Sequence, residues 1–320
     1  MYIKQHDKLN EVFALEALNR RIPDYHPIKE KVFSDWKIKR SEIAGEKELD
    51  YPLRFLDDSK FLILHNIRLQ DESGFFQIDT LILSKKYILI LEAKNWQGTV
   101  IFDENGQVIR KRNNQEEEGF PSPIPQVKVQ MFRLQKWLRQ LQFPDMKIEA
   151  FVVISFSSTI IKPANPTVKI PEQVILNNQL YFKIKELEKK YRKMTASMET
   201  LKEISLALVN HHTPTNDNLL QKYKLNKSDL VKGVFCPVCN AIPMIRRQNK
   251  WHCTDCGAFS SNAHIRALED YRRIIGNTIT NLSGREFLLI ESPDVTRRLL
   301  LKEKLIKFGK TKGSTYQWKE

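Results

Sequence analysis

Two neighbouring apolar runs in the first half of the chain are each interrupted by charged residues. Residues 75–83 hold Asp79 near their middle, and residues 87–95 close with Glu92 and Lys94. Runs this apolar are typical of strands that are buried on both faces. Because alternate residues of a strand point to the same side, Glu92 and Lys94 share one face. A buried charge is unfavourable unless it is paired or bound, so the pattern indicates a site for a hard divalent cation beside an ammonium group.

The neighbouring segments predict a compact α/β unit around these strands. Residues 34–56 carry a helical stripe, and Pro52 should end or kink that helix. The stripe consists of Ile43, Glu46, Leu49, Leu53 and Leu56. A strand begins at Phe61, residues 102–124 are expected to be irregular, and a second helix is followed by a buried strand at residues 150–154. The order helix, three strands, helix, strand is that of a central sheet flanked by helices.

Glu46 is the one charged residue on the core-facing stripe, where a carboxylate is either paired or used. If the first helix packs on the sheet, Glu46 approaches Asp79 and Glu92. Three carboxylates and a lysine around one point suit Mg²⁺ or Mn²⁺, which take oxygen ligands and keep several waters. The metal would acidify a bound water, and Lys94 would orient that water or neutralise charge on a phosphate. Taken alone, Glu92 and Lys94 are more typical of an exposed ion pair, and it is Asp79 in the preceding buried strand, together with Glu46, that favours a site.

The spacing of Asp79 and Glu92-x-Lys94 resembles that of the PD-(D/E)xK nuclease superfamily. The finer resemblance is to the nuclease-related domain, known as NERD, over about residues 26–155. The matching motifs are Gly45-Glu46, Gln77-Ile78-Asp79, Glu92-Ala93-Lys94-Asn95 followed by Gly98, and Pro123-Ile124-Pro125-Gln126. In the wider superfamily a proline often precedes the first acid, whereas this chain has Ile78 there.

The resemblance implies a restriction-endonuclease-like core and Mg²⁺-dependent hydrolysis of phosphodiester bonds. It implies catalytic roles for five side chains, Glu46, Asp79, Glu92, Lys94 and Gln126. Asp79 and Glu92 would hold the metal, with the Ala93 carbonyl as a further ligand. Lys94 would serve the nucleophilic water, and Gln126 would support Lys94 or that water. Glu46 would complete the acidic cluster.

All four cysteines of the chain fall in one pattern. Cys236 and Cys239 form one C-x-x-C pair, and Cys253 and Cys256 form a second pair after thirteen further residues. Two such pairs are typical of a Zn²⁺ site, and four thiolates fill a tetrahedral site, so the zinc would be structural. A short hairpin between the pairs would give a zinc ribbon of the rubredoxin-like kind. Two redox-active pairs are the alternative, although the chain shows no thioredoxin-like context.

Positive charge is concentrated in the second half of the chain. Residues 1–156 carry 24 Lys and Arg against 23 Asp and Glu, whereas residues 157–320 carry 28 against 15. A polyanion such as nucleic acid would therefore be held mainly by the second half. We expect DNA as this partner. RNA, or a basic surface without a specific partner, is the alternative, and the sequence identifies no protein partner.

Two groups of residues are candidates for contact with nucleic acid. The cysteine segment offers Arg246, Arg247, Lys250 and Trp251, and a later helix offers Arg297 and Arg298. The cations would contact phosphates and Trp251 would stack on a base, unless the module is a rigid spacer or a protein-docking surface. The later helix begins at Ser292-Pro293 and follows another helix, which fits a helix-turn-helix. Residues 307–316 would form a basic wing, although plain helical caps show the same pattern.

The chain is thus expected to be an Mg²⁺-dependent, nuclease-like protein acting on DNA. Its expected segments are a nuclease-like domain (1–160), a charged helical extension (161–212), a linker (213–233), a zinc ribbon (234–260) and a helical, winged-helix-like region that binds nucleic acid (261–320). The alternative is a non-catalytic nucleic-acid-binding or scaffold protein in DNA repair or defence. No apolar stretch approaches the ~20 residues that cross a bilayer, and the N-terminus lacks the apolar core of a secretion signal, so we expect a cytoplasmic protein.

Overall fold

The computed structural model of the chain describes residues 1–7, 9–112, 116–215, 218–309 and 313–319. The chain divides into two units. Unit 1 comprises Met1–Leu9 and Lys39–Thr215, and unit 2 comprises Asn10–Ile38 and Asn216–Glu320. The predicted linker includes residues 216 and 217, and the predicted wing includes residues 310–312, which lie outside the described residues.

Unit 1 is built on a six-stranded mixed sheet. The strands of unit 1, six of which form this main sheet, are β1 (Tyr2–Lys4), β2 (Phe61–Asp71), β3 (Gly74–Ser84), β4 (Tyr87–Lys94), β5 (Thr99–Phe102), β6 (Gln107–Lys111), β7 (Glu117–Pro121), β8 (Lys147–Ile154), β9 (Ile160–Pro163) and β10 (Val174–Leu176). The main sheet has the order β1-β2-β3-β4-β8-β10, with β2, β3 and β4 antiparallel and β4, β8 and β10 parallel. This mixed sheet confirms the predicted fold class.

Helices cover both faces of this sheet. The helices of unit 1 are the part of α2 (Lys29–Glu48) from Lys39 onward, α3 (Asp50–Leu53), α4 (Pro123–Gln140), α5 (Leu180–Lys190) and α6 (Met198–Asn210), with a 3₁₀ turn at Asn177–Gln179, whereas α1 (Leu9–Arg21) belongs to unit 2 from Asn10 onward. In β4, Ile88 and Ile90 belong to the core that includes α4 and α6, whereas Leu89 and Leu91 belong to the core that includes α3 and α5. Burial on both faces explains why these strands read as continuous apolar runs.

The alternation of β2 and β3 is interrupted where the two strands pass Asp79. Leu64 and Ile67 are three residues apart yet pack into the same core, and so do Ile78 and Leu81. Asn66 has a φ of 52°, which is rare for a residue other than glycine inside a strand. Both strands therefore change the side to which they turn their residues at the level of Asp79.

A second sheet occupies the segment that the sequence predicted to be irregular. Its order is β7-β6-β5-β9, and Val100, Phe102 and Val108 pack into the core of unit 1. The prediction was wrong because the other side of these short strands is polar, with ion pairs such as that between Lys111 and Glu117.

Residues 161–212 complete unit 1 and do not form a separate extension. Leu201, Ile204 and Leu208 of α6 pack into one core of the main sheet, and Ile184 and Leu187 of α5 pack into the other. The predicted boundary at residue 160 thus falls inside unit 1. Among the residues that the structure describes, no helix is long and apolar enough to cross a membrane.

Unit 2 combines the cysteine segment with helices and short strands. Its further elements are α7 (Leu219–Lys222), a 3₁₀ turn (Lys227–Asp229), β11 (Ile245–Arg247), β12 (Lys250–His252), β13 (Phe259–Ser260), α8 (His264–Ile274), β14 (Thr278–Thr280), α9 (Asn281–Leu288), α10 (Pro293–Lys302), β15 (Ile306–Phe308) and β16 (Thr315–Gln317). The strands form two sheets, β11-β12-β13 and β14-β16-β15. The predicted winged-helix region contains α8, β14, α9, α10, β15 and β16, and its role in binding nucleic acid stays a prediction.

The cysteine segment and the C-terminal helices of unit 2 share one hydrophobic core. Cys236, Trp251 and Cys253 belong to the same cluster as Leu268 of α8 and Leu299 of α10. The predicted boundary between residues 260 and 261 therefore separates segments that are packed together.

A buried ion pair joins α1 to α8 inside unit 2. The Arg21 Nε group donates to Asp270 Oδ2 at 2.8 Å, and Arg20 donates to the other carboxylate oxygen at 2.7 Å. The side chains of Arg21 and Asp270 are 0% and 2% exposed. Arg21 also donates to the carbonyl oxygens of Val231 and Gly233. A prediction that placed residues 10–38 with the nuclease-like domain misses this packing, because it depends on contacts about 250 residues apart in the chain.

Candidate functional site

The Glu92 carboxylate is the centre of a polar network in unit 1. It is 5% exposed and accepts hydrogen bonds from three side chains. Lys94 Nζ donates to Oε1 at 2.8 Å and Gln126 Nε2 donates to the same oxygen at 2.7 Å. Gln130 Nε2 donates to Oε2 at 2.9 Å. Lys94 Nζ also donates to Gln126 Oε1 at 3.1 Å, so the lysine, the glutamate and the glutamine form a closed triangle.

The local folding of β4 and α4 explains this convergence. Glu92 and Lys94 lie two apart on β4 and therefore point to the side of the sheet that α4 covers. Gln126 and Gln130 are one helical turn apart and thus lie on the same face of α4. Ser122 caps this helix by accepting from the N–H of Ile124, and the proline at residue 123 begins it.

Asp79 lies beside Glu92 on the neighbouring strand. The antiparallel register of β3 and β4 ends with Thr80 paired to Leu91, so Asp79 and Glu92 are the residues next to the last pair of this ladder. Asp79 Oδ2 accepts a hydrogen bond from the N–H of Ala93 at 3.2 Å. The structure thus brings together Asp79, Glu92 and Lys94, while their catalytic and metal-binding roles stay predictions.

Burial and like charge both disfavour the ionised form of Glu92. Burial, the largest effect, raises the pKa of Glu92, and the negative charge of Asp79 raises it further. The ammonium group of Lys94 and the hydrogen bonds from Lys94 and Gln130 oppose this rise without cancelling it. A carboxylate with a raised pKa beside a second carboxylate is an arrangement that a bound cation relieves.

Glu46 reaches the same region from α2 and is 4% exposed. Its Oε2 accepts a hydrogen bond from Asn66 Nδ2 at 2.7 Å, which connects the glutamate to the irregular position of β2. Gly45 permits this approach, since a Cβ there would lie 2.7 Å from the Cβ of Asn95. The Gly45 carbonyl also accepts from Ser155 Oγ at 2.9 Å, which holds α2 against the end of β8.

The donor set fits a hard divalent cation. Three amide oxygens here are buried without a hydrogen-bond partner in the described structure, namely Asn66 Oδ1, Asn95 Oδ1 and Gln130 Oε1. Carboxylate and amide oxygens with room for water are the ligands that Mg²⁺ and Mn²⁺ prefer. Glu46, Asp79 and Glu92 are not among the sets of three described ligand atoms that lie within 4.8 Å of one another. These three acids therefore form no closed cage of protein ligands, and water or a substrate oxygen would have to complete the coordination of a cation.

The four cysteines of unit 2 form a compact, closed cluster. Their Sγ atoms all lie within 4.8 Å of one another. The Sγ atoms of Cys236 and Cys256 are 3.6 Å apart, and so are those of Cys239 and Cys253. A disulfide would require about 2 Å. Zn²⁺ at about 2.3 Å from four sulfurs separates them by about 3.8 Å, so the spacing is a zinc-binding one.

The two C-x-x-C pairs fold as equivalent turns. The N–H of Asn240 donates to the carbonyl of Cys236, and the N–H of Gly257 donates to that of Cys253. Asn240 and Gly257 have φ values of 60° and 72°, which asparagine and glycine adopt most readily. The hairpin expected between the pairs is present as β11 and β12.

The predicted stacking role of Trp251 is wrong. Trp251 is fully buried, and its indole N–H donates to Nδ1 of His264 at 3.1 Å. Its ring belongs to the core of unit 2 and is covered on one side by Arg246, whose guanidinium carbon lies 5.1 Å from the ring centroid. A base therefore has no access to this ring.

The predicted cations of unit 2 lie on its surface, with Arg246 partly buried. Arg247, Lys250, Arg297 and Arg298 are exposed. Burial lowers the pKa of Arg246 on β11, and the positive charge of Arg298 on α10 lowers it further. Contact of either element with phosphate stays a prediction.

His6, Asp50 and His65 form a second group of metal-ligand types in unit 1, which sequence spacing did not indicate. Both histidine Nε2 atoms face Asp50 Oδ1, at 3.1 and 3.5 Å. The two imidazole rings are stacked 3.8 Å apart with an angle of 19° between their planes. A metal must lie in the plane of each ligating ring about 2 Å from nitrogen, and nearly parallel rings do not allow this. The group is therefore better described as two histidines that share one carboxylate.

Sequence reasoning missed Asn66 and Gln130. Gln130 carried a signal, because it lies one turn after Gln126 on the core-facing side of an amphipathic helix, where a polar residue needs a partner. Asn66 had no comparable signal, since a polar residue near the middle of a strand is also typical of an exposed position.

Comparison with known proteins agrees with this geometry. Residues 41–155 match the family model described as the nuclease-related domain, which confirms the predicted resemblance. The chain is also 27% identical over 141 residues to an uncharacterized protein of Bacillus anthracis, a match that covers 44% of this chain and 64% of that protein. The chain thus spans less than two thirds of the length of that relative. No solved structure matches the chain.

Proposed function

Because residues 41–155 match the nuclease-related domain, we propose that the chain hydrolyses phosphodiester bonds in DNA with the help of Mg²⁺ or Mn²⁺. The observation that carries the proposal is the position of Glu92, a buried carboxylate that lies beside Asp79 and is bound by Lys94. Such an arrangement of acids and an ammonium group is suited to metal-assisted hydrolysis of a phosphate ester.

Four side chains would have different roles at this site, namely Asp79, Glu92, Lys94 and Gln126. Asp79 and Glu92 would hold the metal, which would acidify water and stabilise charge on the phosphate. Lys94 uses two of its three ammonium protons on Glu92 and Gln126, which leaves one to orient a water or a phosphate oxygen. Gln126 keeps Lys94 and Glu92 in register by donating to one and accepting from the other, and is thus a positioning residue.

Unit 2 would bind the nucleic acid. Its 134 residues contain 24 Lys and Arg against 15 Asp and Glu, and Arg246 and Arg298 contribute to one basic surface. Arginine and lysine contacts to phosphate supply sequence-independent affinity that falls as salt is added. The four-cysteine cluster would hold a structural Zn²⁺, because four sulfur ligands leave no open position for catalysis.

The test is cleavage of single-stranded and duplex DNA by the full chain with Mg²⁺ or Mn²⁺. We expect Glu92→Gln and Lys94→Ala to reduce the rate by at least about a hundredfold. Glu186→Gln is the matched control, since Glu186 is an exposed acid that pairs with Lys183 on α5. No metal-dependent cleavage by the wild-type chain, or equal rates for the wild type and Glu92→Gln, would contradict the proposal.

One observation favours a second candidate, a protein that keeps the nuclease fold for binding alone. Both oxygens of Glu92 already accept hydrogen bonds from protein side chains, so the carboxylate is partly satisfied without a cation. Calorimetric titration with Mn²⁺ of the chain that retains its zinc but holds no other divalent cation separates the two candidates. Binding that is lost in Asp79→Asn supports hydrolysis, whereas no binding supports the second candidate.

A further inference from the structure

Unit 1 has a cleft of about 440 Å³ lined by exposed aromatic side chains. Tyr51, Phe55 and Phe182 are 65%, 58% and 65% exposed, which is unusual for three large rings in one place. Their edges and faces meet through Tyr181, with ring centroids 5.4 to 6.2 Å apart. Contiguous exposed apolar groups in a cleft are typical of a binding surface.

The floor of this aromatic cleft contains a buried acceptor without a partner in the described structure. Asn177 is 8% exposed and lines the cleft, and its Nδ2 donates to the carbonyl of Glu48 at 2.9 Å. Its Oδ1 is buried and accepts no hydrogen bond. A nucleobase carries ring faces for stacking and N–H groups that such an oxygen can accept. The cleft therefore offers both kinds of contact that an unpaired base requires.

A second cleft, of about 950 Å³, adjoins the first and has a different character. Arg110, Arg112 and Asn95 line it. Both guanidinium groups pair with the carboxylate of Glu118, so two cations of this cleft lie beside one shared acid. Phe156 lines both clefts, so a continuous surface runs from aromatic rings to arginines. A nucleic-acid strand has the same division, with bases on one side and phosphates on the other.

Both clefts open where the strands of the candidate site end. Asn95 directly follows Lys94, and the N–H of Ser155 donates to the Lys94 carbonyl at 3.1 Å. Ser155 lines the aromatic cleft and Asn95 lines the arginine cleft. Ligands of open α/β sheets bind beyond the carboxyl ends of the strands, which is where these residues lie. A strand in the two clefts would thus pass the end of β4.

We infer that the substrate is a nucleic acid with unpaired bases, which stack on Tyr51, Phe55 and Phe182 while the adjoining phosphates contact Arg110 and Arg112. The inference rests on the proposed function for the identity of the ligand as nucleic acid, and it adds that the ligand is single-stranded. A duplex keeps its bases stacked on one another and offers only its backbone to these rings.

The test measures affinity and not cleavage, so it is independent of the proposed hydrolysis. A fluorescent 15-nucleotide oligothymidylate, the same strand in a blunt duplex, and an abasic strand of equal length are titrated with the full chain in EDTA-free buffer containing Ca²⁺. We expect the wild-type chain to bind the oligothymidylate more tightly than the other two. Phe55→Leu and Phe182→Leu should each weaken that binding by about fivefold to a hundredfold and leave binding of the abasic strand unchanged.

Phe132→Leu is the matched control, because Phe132 is 70% exposed on α4 and lines neither cleft. A strand with 5-iodouracil should crosslink to Tyr51, Phe55 or Phe182.

Three results would overturn the inference: equal losses of affinity for duplex and single strand, no loss of affinity in either cleft variant, or no binding of the oligothymidylate by the wild type. Aromatic-dependent binding without metal-dependent cleavage would keep the inference and reject hydrolysis, while cleavage without that dependence would do the reverse.

Discussion

Units 1 and 2 both bury a carboxylate, but the charges that surround each carboxylate differ. In unit 2 the carboxylate of Asp270 is matched by Arg20 and Arg21, and four sulfurs form a closed set around one point. In unit 1 the buried Glu92 has one ammonium partner and a second acid beside it, and burial together with Asp79 raises its pKa.

The difference indicates which buried polar groups hold a fold and which are kept for a ligand. A buried carboxylate that is paired with guanidinium groups contributes to structure, and removing one partner leaves the other charge uncompensated. A group that is left short of positive charge is unfavourable in the empty protein and is relieved when a cation binds. Substitution of the cysteines or of Asp270 should therefore destabilise unit 2. Substitution of Glu92 should instead abolish cleavage with little loss of the stability of unit 1.

The largest expected effect is the loss of the cysteine cluster. Structural zinc contributes roughly 10–16 kcal/mol to the folding of small zinc domains, and here the cysteines share a core with α8 and α10. We expect one zinc per chain by elemental analysis. Cys253→Ser should unfold unit 2 in hydrogen-exchange experiments and leave β3 and β4 of unit 1 protected. If the full-length chain without zinc showed the same hydrogen exchange in unit 2 as the zinc-bound chain, the cluster would not be a structural site.

The next effect is that of the buried ion pair in unit 2. Asp270→Ala leaves Arg21 buried without its counter-charge, which should reduce the free energy of unfolding by about 3–5 kcal/mol in urea titrations. Asp294→Ala is the control, since that side chain is 84% exposed and lies 4.0 Å from Arg297. It should change stability by at most about 0.5 kcal/mol. Equal effects of the two substitutions would break the comparison between matched and exposed charges.

In unit 1 a substitution that removes a buried charge should raise the free energy of unfolding and not lower it. At pH values above its raised pKa, ionised Glu92 destabilises the folded protein that holds no Mg²⁺ or Mn²⁺, so Glu92→Gln should raise the free energy of unfolding there by ~1 kcal/mol while cleavage is lost. Urea titrations of both proteins in chelator-treated buffer with zinc retained measure this change. A loss of 2 kcal/mol or more would place Glu92 with the structural groups.

The smallest effect is a dependence of folding stability on pH, which Glu92→Gln should abolish. A raised folded pKa means that the folded protein holds the Glu92 proton at pH values where the unfolded chain has released it. The resulting stability is complete below the ordinary glutamate pKa of about 4.3 and is lost as pH rises through the folded pKa. Mn²⁺ affinity should follow the reverse course, rising through that window. Parallel pH profiles for the wild type and Glu92→Gln would contradict this assignment.

Much of the fold was predictable, because strands and helices carry their periodicity locally. The stripe from Ile43 to Leu56 is buried as expected, and the runs around Asp79 and Glu92 are strands of the main sheet. The second sheet was not predictable, since its short strands have one polar side. Neither was the place of α1, which the buried Arg21 and Asp270 pair settles through residues far apart in the chain.

By itself the sequence determined the two C-x-x-C turns and the pairing of Glu92 with Lys94, because residues two or three apart meet through local geometry alone. Only the tertiary structure decided that α4 brings Gln126 and Gln130 onto Glu92, and that Trp251 faces the core rather than a ligand. These outcomes depend on which faces pack together. Packing is set by the summed burial of many side chains and not by the spacing of any one motif.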